Sequence, residues 1–264
     1  MVGTSPIMLA FLGTAFTCLT TVVGSAAVLL FKKEIPPRLQ QVFLGFAAGV
    51  MIAASVWSLL VPAMELAAPG PLPVWVPAAG GVTLGVGLLL AMDRLLPGIH
   101  AGAGRPAGLL RELGRSALLV LAVTLHNIPE GMAVGMAFAA AGAGEAVSLS
   151  GAVVLAVGIG LQNLPEGAAI SLPLKKEGLS AGRAFAYGAA SGVAEPVAGV
   201  LGALLATSIG PLMPWVLAFA AGAMVYVTAE ELIPAAHDPG GSHGGALGAC
   251  AGFLLMMVMD VALG

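Results

Sequence analysis

The stretch Val123–Gly135, with the sequence VTLHNIPEGMAVG, places a histidine, an asparagine and a glutamate inside an otherwise apolar run. A second stretch, Ile159–Ser171, has the sequence IGLQNLPEGAAIS and repeats the arrangement with glutamine in place of histidine. Imidazole nitrogens, amide oxygens and carboxylates are all ligands for divalent metal ions. The repetition therefore indicates that the two runs contribute to one metal-binding site.

Helical spacing would bring the polar side chains of each run to one face. Because a helix turns by about 100° per residue, Glu130 lies about 40° and Asn127 about 100° around the axis from His126. The same spacing occurs in the second run at Gln162, Asn163 and Glu166. The short connection between the runs predicts two neighbouring, antiparallel helices. We therefore expect the two polar faces to meet.

The composition indicates a chain that lies almost entirely in a lipid bilayer. Of its 264 residues, 59% are hydrophobic and 9% are charged, whereas a soluble domain carries about 25% charged residues. A transmembrane helix needs about 20 mostly apolar residues. The predicted segments are residues 7–31, 39–64, 74–95, 116–140, 147–173, 182–209, 212–236 and 245–261. The predicted fold is therefore all-α, one polytopic membrane domain over residues 1–264 with eight transmembrane helices and no nucleic-acid partner.

The positive charges predict how these helices are oriented. All ten Lys and Arg residues fall in the first, third and fifth connections or at the helix ends that border them. Because these residues are enriched in cytoplasmic loops, both termini are expected on the extracytoplasmic side. The least distinct boundary lies at residues 208–214, in the sequence TSIGPLMP, which has no charge. Its two prolines favour two helices over one long helix.

Three glutamates inside the predicted helices point to a bound cation. A charged side chain at a helix centre costs roughly 2.5–3.5 kcal/mol on insertion scales. Glu130, Glu166 and Glu195 have no Lys or Arg inside the helices to pair with, so they must be protonated or bind cations. Pro129 and Pro165 also leave backbone carbonyls free, which is tolerated at membrane depth where they line a cavity or bind an ion. The mixture of donors favours a metal such as zinc.

The motifs HNIPEG at residues 126–131 and QNLPEG at residues 162–167 resemble the signature of the ZIP family of divalent-metal transporters (Zrt/Irt-like proteins). The resemblance extends to the eight helices, the outward termini, the variable third connection and the carboxylate of the sixth helix. The second motif begins with glutamine, and in this respect the chain resembles a bacterial branch of the family. The resemblance implies a multi-pass homodimer of the plasma membrane that is not an enzyme and uses no cofactor.

The resemblance also implies a two-metal site near the middle of the membrane. One metal position would use His126, Glu130, Gln162, Glu166 and, from the second helix, Met51. The other would use Asn127, Asn163 and Glu195, and would share Glu130 and Glu166 as bridging ligands. Because glutamine replaces the second histidine of many relatives, the preference among Zn²⁺, Cd²⁺, Fe²⁺ and Mn²⁺ as transported substrate stays open.

The resemblance also implies an elevator-like alternating-access mechanism that transports metal into the cytoplasm. Helices 1, 4, 5 and 6 would form the transport group, and helices 2, 3, 7 and 8 would form the scaffold group and the dimer surface. Small residues would allow the two groups to slide in close contact. The expected sliding faces contain Gly45, Gly49, Gly81, Gly85 and Gly87. A candidate exit site near the cytoplasmic side consists of Glu230, Glu231, His237 and Asp93.

Other interpretations of the same residues stay open. The His–Glu pairs could only join helices, Met51 could only fill the core, and the candidate exit residues could be solvated surface charges. A metal-selective channel with the same site is the alternative to a carrier. An intramembrane metalloprotease is the alternative enzyme, although the chain lacks the H-E-x-x-H helix that commonly holds catalytic zinc. His100 and His243 receive no role.

Overall fold

A computed structural model describes residues 5–30, 36–95, 115–142, 147–208, 212–237 and 241–264. These residues form eight long helices and contain no strand. The helices are α1 (Pro6–Leu30), α2 (Pro37–Ala67), α3 (Trp75–Leu95), α4 (Arg115–Gly142), α5 (Leu149–Lys176), α6 (Ala181–Ser208), α7 (Met213–Ala236) and α8 (Gly244–Leu263). Among the described residues, seven of the helices, all except α4, are long and apolar enough to cross a membrane. The prediction of an all-α membrane fold is confirmed, while the orientation of the termini stays a prediction.

The least distinct predicted boundary separates two helices, as expected. The helix α6 ends at Ser208, and α7 begins at Met213. Pro214 lies in the first turn of α7, where its missing N–H costs no intrahelical hydrogen bond. Serine side chains cap the beginnings of other helices. The Ser5 and Ser148 hydroxyls accept hydrogen bonds from backbone N–H groups three residues later, at 3.2 and 2.8 Å, which satisfies donors at these helix ends.

Among the described residues, four of the membrane helices are irregular, and in α1 the interruption is a turn at residue 26. In α2 and α7, π-helical turns occupy Ser55–Leu60 and Thr228–Leu232. Pro62 and Pro234 follow these turns closely, and a proline removes one backbone donor and disturbs the regular hydrogen-bond ladder. In α6 the helical pattern is interrupted at residues 192–193. Such irregular turns recur at functional sites.

The helices pack in two sets of close neighbours. In the first set, α1 contacts α4, α5 and α6, and α4 packs along α6. In the second set, α2 packs along α8, and α3 packs along α7. Contacts between the sets include those of α2 with α5 and of α4 with α7. The two helices that carry the sequence motifs therefore each touch the other set.

The glycines of α2 and α3 pack within one set, which corrects the expectation that they form sliding faces between groups. A Cβ atom at Gly45 or Gly49 would overlap the backbone of α8, and one at Gly81 or Gly85 would overlap residues of α7. At Gly87 no heavy atom lies within 4 Å of the Cβ position. Small residues let two helix backbones approach closely, but their spacing does not identify the neighbouring helix.

Candidate metal site

Three side chains from α4 and α5 converge in the protein interior. The Nε2 atom of His126 lies 3.7 Å from Glu130 Oε1 and 3.7 Å from Glu166 Oε1. One potential ligand atom from each side chain lies within 4.8 Å of the other two. The three residues are buried, and Glu166 has the largest exposed fraction at 8%. The i, i+4 spacing thus places His126 and Glu130 on one face of α4, and α5 supplies Glu166.

Backbone carbonyls of neighbouring helices orient the two asparagines of the motifs. Asn127 donates its Nδ2 hydrogen to the Ser191 carbonyl of α6 at 3.0 Å. Asn163 donates from Nδ2 to the Thr17 carbonyl of α1 at 3.1 Å. Because a carbonyl oxygen can only accept, each asparagine must present its amino group there. The Oδ1 atom of each side chain is therefore the end that is not held by these contacts.

Among the described residues, five buried polar atoms of the two motifs have no hydrogen-bond partner. They are His126 Nε2, Asn127 Oδ1, Glu130 Oε2, Gln162 Oε1 and Asn163 Oδ1. The amino group of Gln162 donates to Glu130 Oε1, which leaves the Gln162 oxygen as its unpaired end. Unsatisfied acceptors cost about 1–3 kcal/mol each when buried. Imidazole nitrogen, amide oxygen and carboxylate oxygen all bind metal ions, so a cation would satisfy atoms that the protein leaves without donors.

Glu195 contacts the second motif through its carboxylate. The Thr21 hydroxyl donates to Glu195 Oε1 at 2.9 Å, and Asn163 Nδ2 donates to Glu195 Oε2 at 2.9 Å. Glu195 has no exposed surface. The structure therefore brings Asn163 and Glu195 into direct contact, and the carboxylate receives one donor on each oxygen.

The interruption of α6 explains the positions of Glu195 and Ser191. The Glu195 N–H bonds to the Gly192 carbonyl at 3.0 Å, instead of to the Ser191 carbonyl as in a regular α-helix. The Ser191 carbonyl is thus available to Asn127. Glu195 lies in the first turn of the helical segment that follows, where the peptide dipoles favour a negative charge.

A polar face of α1 also reaches the site. This contribution of α1 was not predicted from the sequence. The buried hydroxyl residues of this helix are Thr14, Thr17, Thr21 and Ser25, and none of them is more than 1% exposed. Three of them contact α5 or α6, through the Thr17 carbonyl, the Thr21 hydroxyl and the Ser25 hydroxyl. The spacing of these residues in TAFTCLTTVVGS is helical. This spacing indicates that one face of α1 contacts polar groups of a neighbouring helix.

Met51 is buried beside α7. Its exposed fraction is 1%, and its Sδ atom lies 3.5 Å from the Thr228 hydroxyl, which donates to the Met224 carbonyl at 2.8 Å. Thr228 begins the π-helical turn of α7, three residues before Glu231. In this conformation the thioether therefore contacts α7, and its role as a metal ligand stays a prediction.

Of the four candidate exit residues, the structure brings Glu231 to the central cluster instead. Glu231 Oε2 lies 3.6 Å from Nδ1 of His126, on the ring edge opposite Nε2. Glu230 and His237 are exposed, and the side chain of Asp93 lies outside the described residues. Adjacent helical residues point in directions about 100° apart. Glu231 faces His126 while the adjacent Glu230 is exposed, and the exit site stays a prediction.

Comparison of the sequence with known proteins identifies the family of this chain. A family model described as ZIP Zinc transporter matches residues 105–260. The chain is 39% identical to Zinc transporter ZIP11 of Bos taurus, with 99% of each chain covered. It is 37% identical to Zinc transporter GufA of Myxococcus xanthus, with 92% of this chain and 95% of the relative covered. For Zinc transporter ZIPB of Bordetella bronchiseptica, the identity is 38%, with 97% of this chain and 81% of the relative covered. The chain therefore belongs to the ZIP zinc transporter family.

Proposed function

We propose that this protein transports divalent transition-metal ions into the cytoplasm, with zinc as the leading substrate. The observation that carries the proposal is the set of five buried polar atoms on the two motifs that have no hydrogen-bond partner among the described residues. Three buried carboxyl groups, those of Glu130, Glu166 and Glu195, accompany them. The relatives are named zinc transporters, which supports the choice of metal, and the direction rests on the family resemblance.

The proposed site holds two metal ions. The first position uses His126, Glu130, Gln162 and Glu166, with Met51 as an additional ligand in one conformation. The second position uses Asn127, Asn163 and Glu195, with Glu130 and Glu166 as bridging ligands. The contact of Gln162 with Glu130 supports the first grouping, and the contact of Asn163 with Glu195 supports the second.

Purified protein in liposomes that contain a metal-sensitive dye tests the proposal directly. We expect saturable entry of Zn²⁺, because a carrier has a limited number of sites. Cd²⁺, Fe²⁺ and Mn²⁺ are measured in parallel, since the oxygen of Gln162 is a harder ligand than imidazole and alters metal preference. Entry of all four metals at the rate seen in protein-free liposomes would show that the proposed function is wrong.

The mechanism we propose is an elevator-like shift of α1, α4, α5 and α6 against α2, α3, α7 and α8. Dense contacts within each of these two sets support this division. Ligands from α4, α5 and α6 would move together, because the metal ions would link these helices. Met51 would stay with the second set and would bind metal at one end of the movement. We propose that the protein is a homodimer of the plasma membrane in which the second set forms the dimer surface.

Cysteine cross-linking between α2 and α5 should depend on metal. A Cβ atom at Gly158 of α5 would lie 3.6 Å from Val50 Cγ1 of α2 and would displace the flexible Met256 side chain of α8, so the pair Val50→Cys and Gly158→Cys spans the two sets. The native thiols of Cys18 and Cys250 are free and are replaced by alanine first. If the sets slide, the rate of oxidative cross-linking should change when Zn²⁺ is added.

The control pair for this experiment lies within the second set. The rings of Trp57 in α2 and Phe253 in α8 have centroids 5.4 Å apart. The pair Trp57→Cys and Phe253→Cys should cross-link at the same rate with and without Zn²⁺. Metal-independent cross-linking of both pairs, in protein that transports metal, would contradict the elevator and favour a metal-selective channel.

Glu231 should influence metal binding through His126. Its carboxylate faces Nδ1, and a carboxylate in that position favours the tautomer whose Nε2 lone pair is available to metal. We expect Glu231→Gln to weaken Zn²⁺ binding by about 10–100-fold, as for other such partners of metal-binding histidines. The matched control is Glu230→Gln, because Glu230 is the adjacent, exposed glutamate. Equal Zn²⁺ affinities of the two variants in calorimetric titrations would rule out this role.

A further inference from the structure

The Thr21 hydroxyl of α1 is bonded to a carboxylate that we place in the second metal position. We propose that Thr21 is a positioning residue that sets the metal affinity of the Glu195 position. This inference rests on the proposed function and deepens it, because it adds a fourth helix to the site that the motifs of α4 and α5 and the carboxylate of α6 define.

The geometry around Glu195 assigns a separate donor to each carboxylate oxygen. Thr21 Oγ1 donates to Oε1 at 2.9 Å, and Asn163 Nδ2 donates to Oε2 at 2.9 Å. A carboxylate has about four lone-pair directions, so each oxygen keeps capacity for a metal ion. With both oxygens held, the carboxylate plane cannot rotate freely. Loss of the Thr21 donor would leave this carboxylate with Asn163 and the adjacent Thr17 hydroxyl, which also bonds to the Thr14 carbonyl at 3.0 Å.

The Thr21 hydroxyl has one hydrogen to donate, and the distances indicate where it goes. Its oxygen is 2.9 Å from Glu195 Oε1 and 3.3 Å from the Thr17 carbonyl of its own helix. A hydrogen bond to an ionised carboxylate is also stronger than one to a neutral carbonyl. The shorter contact with Glu195 is therefore the principal bond of this hydroxyl.

Close helix packing holds the Thr21 side chain in place. Gly167 of α5 lies against the Thr21 backbone, where a Cβ atom would overlap the Thr21 carbonyl oxygen. Gly192, at the interruption of α6, would place a Cβ atom 3.0 Å from the Thr21 Cβ. Thr21 is 1% exposed. Thr21 therefore lies buried where α1, α5 and α6 meet.

Thr14 differs from Thr21 in the target of its hydroxyl. It lies on the same helix and has no exposed surface. Its hydroxyl bonds to the Ala10 carbonyl at 2.7 Å and to the Phe11 carbonyl at 3.3 Å, both within α1. A threonine-to-valine change therefore removes a buried hydroxyl at either position, but only at Thr21 does it remove a donor to a proposed metal ligand.

Calorimetric titration of Zn²⁺ into purified protein tests the assignment. Groups that hold a metal ligand in place typically change metal affinity by about 10–100-fold when they are removed. We expect Thr21→Val to weaken one of the two binding positions by about this factor. Thr21→Ser keeps the donor and should bind Zn²⁺ nearly as wild type does, and Thr14→Val should also match wild type.

A second pair of variants separates positioning from general structural support. If Thr21 acts through the carboxylate, Thr21→Val should cause little further loss of Zn²⁺ affinity in a Glu195→Gln protein. A purely structural effect would weaken binding by the same factor in both backgrounds. Size-exclusion profiles and melting temperatures establish which variants fold. If Thr21→Val does not fold, the smaller Thr21→Ala replacement provides the same comparison.

The outcomes for the site and for Thr21 are distinguishable. Wild-type protein that binds no Zn²⁺ would contradict the proposed function itself. Wild-type protein that binds Zn²⁺, together with a folded Thr21→Val or Thr21→Ala variant of unchanged affinity, would overturn the role of Thr21 alone. A Zn²⁺ affinity of Thr21→Ser as low as that of Thr21→Val would also overturn it, because serine retains the hydroxyl.

Discussion

Glu166→Ala protein should carry no metal into liposomes, with Zn²⁺ entry reduced to the rate of protein-free vesicles. Glu166 approaches His126 to 3.7 Å, and we propose that it bridges both metal positions. Its removal would therefore take one ligand from each ion at once. The same result is expected for Glu130→Ala, because Glu130 is fully buried and contacts both His126 and Gln162.

Changes at the second metal position should be milder than changes at the bridging glutamates. Glu195→Ala and Asn163→Ala each affect one proposed position, so we expect reduced but measurable Zn²⁺ entry. Glu65→Ala is the matched control, because Glu65 is an exposed glutamate of α2 and should transport as wild type does. Each variant is first shown to insert and to elute as folded protein. Transport at the wild-type rate by such a Glu166→Ala protein would disprove the shared site.

Gly167→Leu should prevent α1 from packing against α5 and should cause loss of folded protein. A Cβ atom at Gly167 would overlap the Thr21 carbonyl oxygen and would lie 2.7 Å from the Ser25 backbone nitrogen. Overpacking of a core by side chains costs about 1–3 kcal/mol. Backbone atoms of a helix cannot move aside as a flexible side chain can, so we expect a cost at or above the upper end of this range.

Gly87→Leu is the control for the same chemical change. Gly87 is exposed, and no heavy atom lies within 4 Å of its Cβ position. It should preserve both the yield of monodisperse protein and its melting temperature, whereas Gly167→Leu should lower both sharply. A Gly167→Leu protein with the melting temperature of wild type would show that α1 and α5 do not approach each other as described.

Local pattern was sufficient to predict the helices and the two motif faces. Runs of about 20 apolar residues marked the membrane segments, because a helix of this length spans the hydrocarbon core. These segments must be helical, because a bilayer requires every backbone group to be paired within its own segment. The helical period placed His126 and Glu130 on one face, and the short connection predicted that α4 and α5 would be neighbours. These inferences needed only the order of residues within single helices and their immediate connections.

Contacts between distant parts of the chain required the tertiary structure. Thr21 and Glu195 are 174 residues apart, and a helical period shows which face of α1 is polar without identifying its partner. The assignment of the glycines failed for the same reason. Their small-residue faces were evident, but Gly45 packs against α8 and Gly81 against α7.

Backbone irregularities also determined parts of the site that spacing could not reveal. The interruption of α6 frees the Ser191 carbonyl for Asn127, and α7 carries Glu231 to His126. A sequence pattern assumes a regular helix of 3.6 residues per turn. Where a helix widens or breaks, the directions of its side chains depend on how neighbouring helices pack against it.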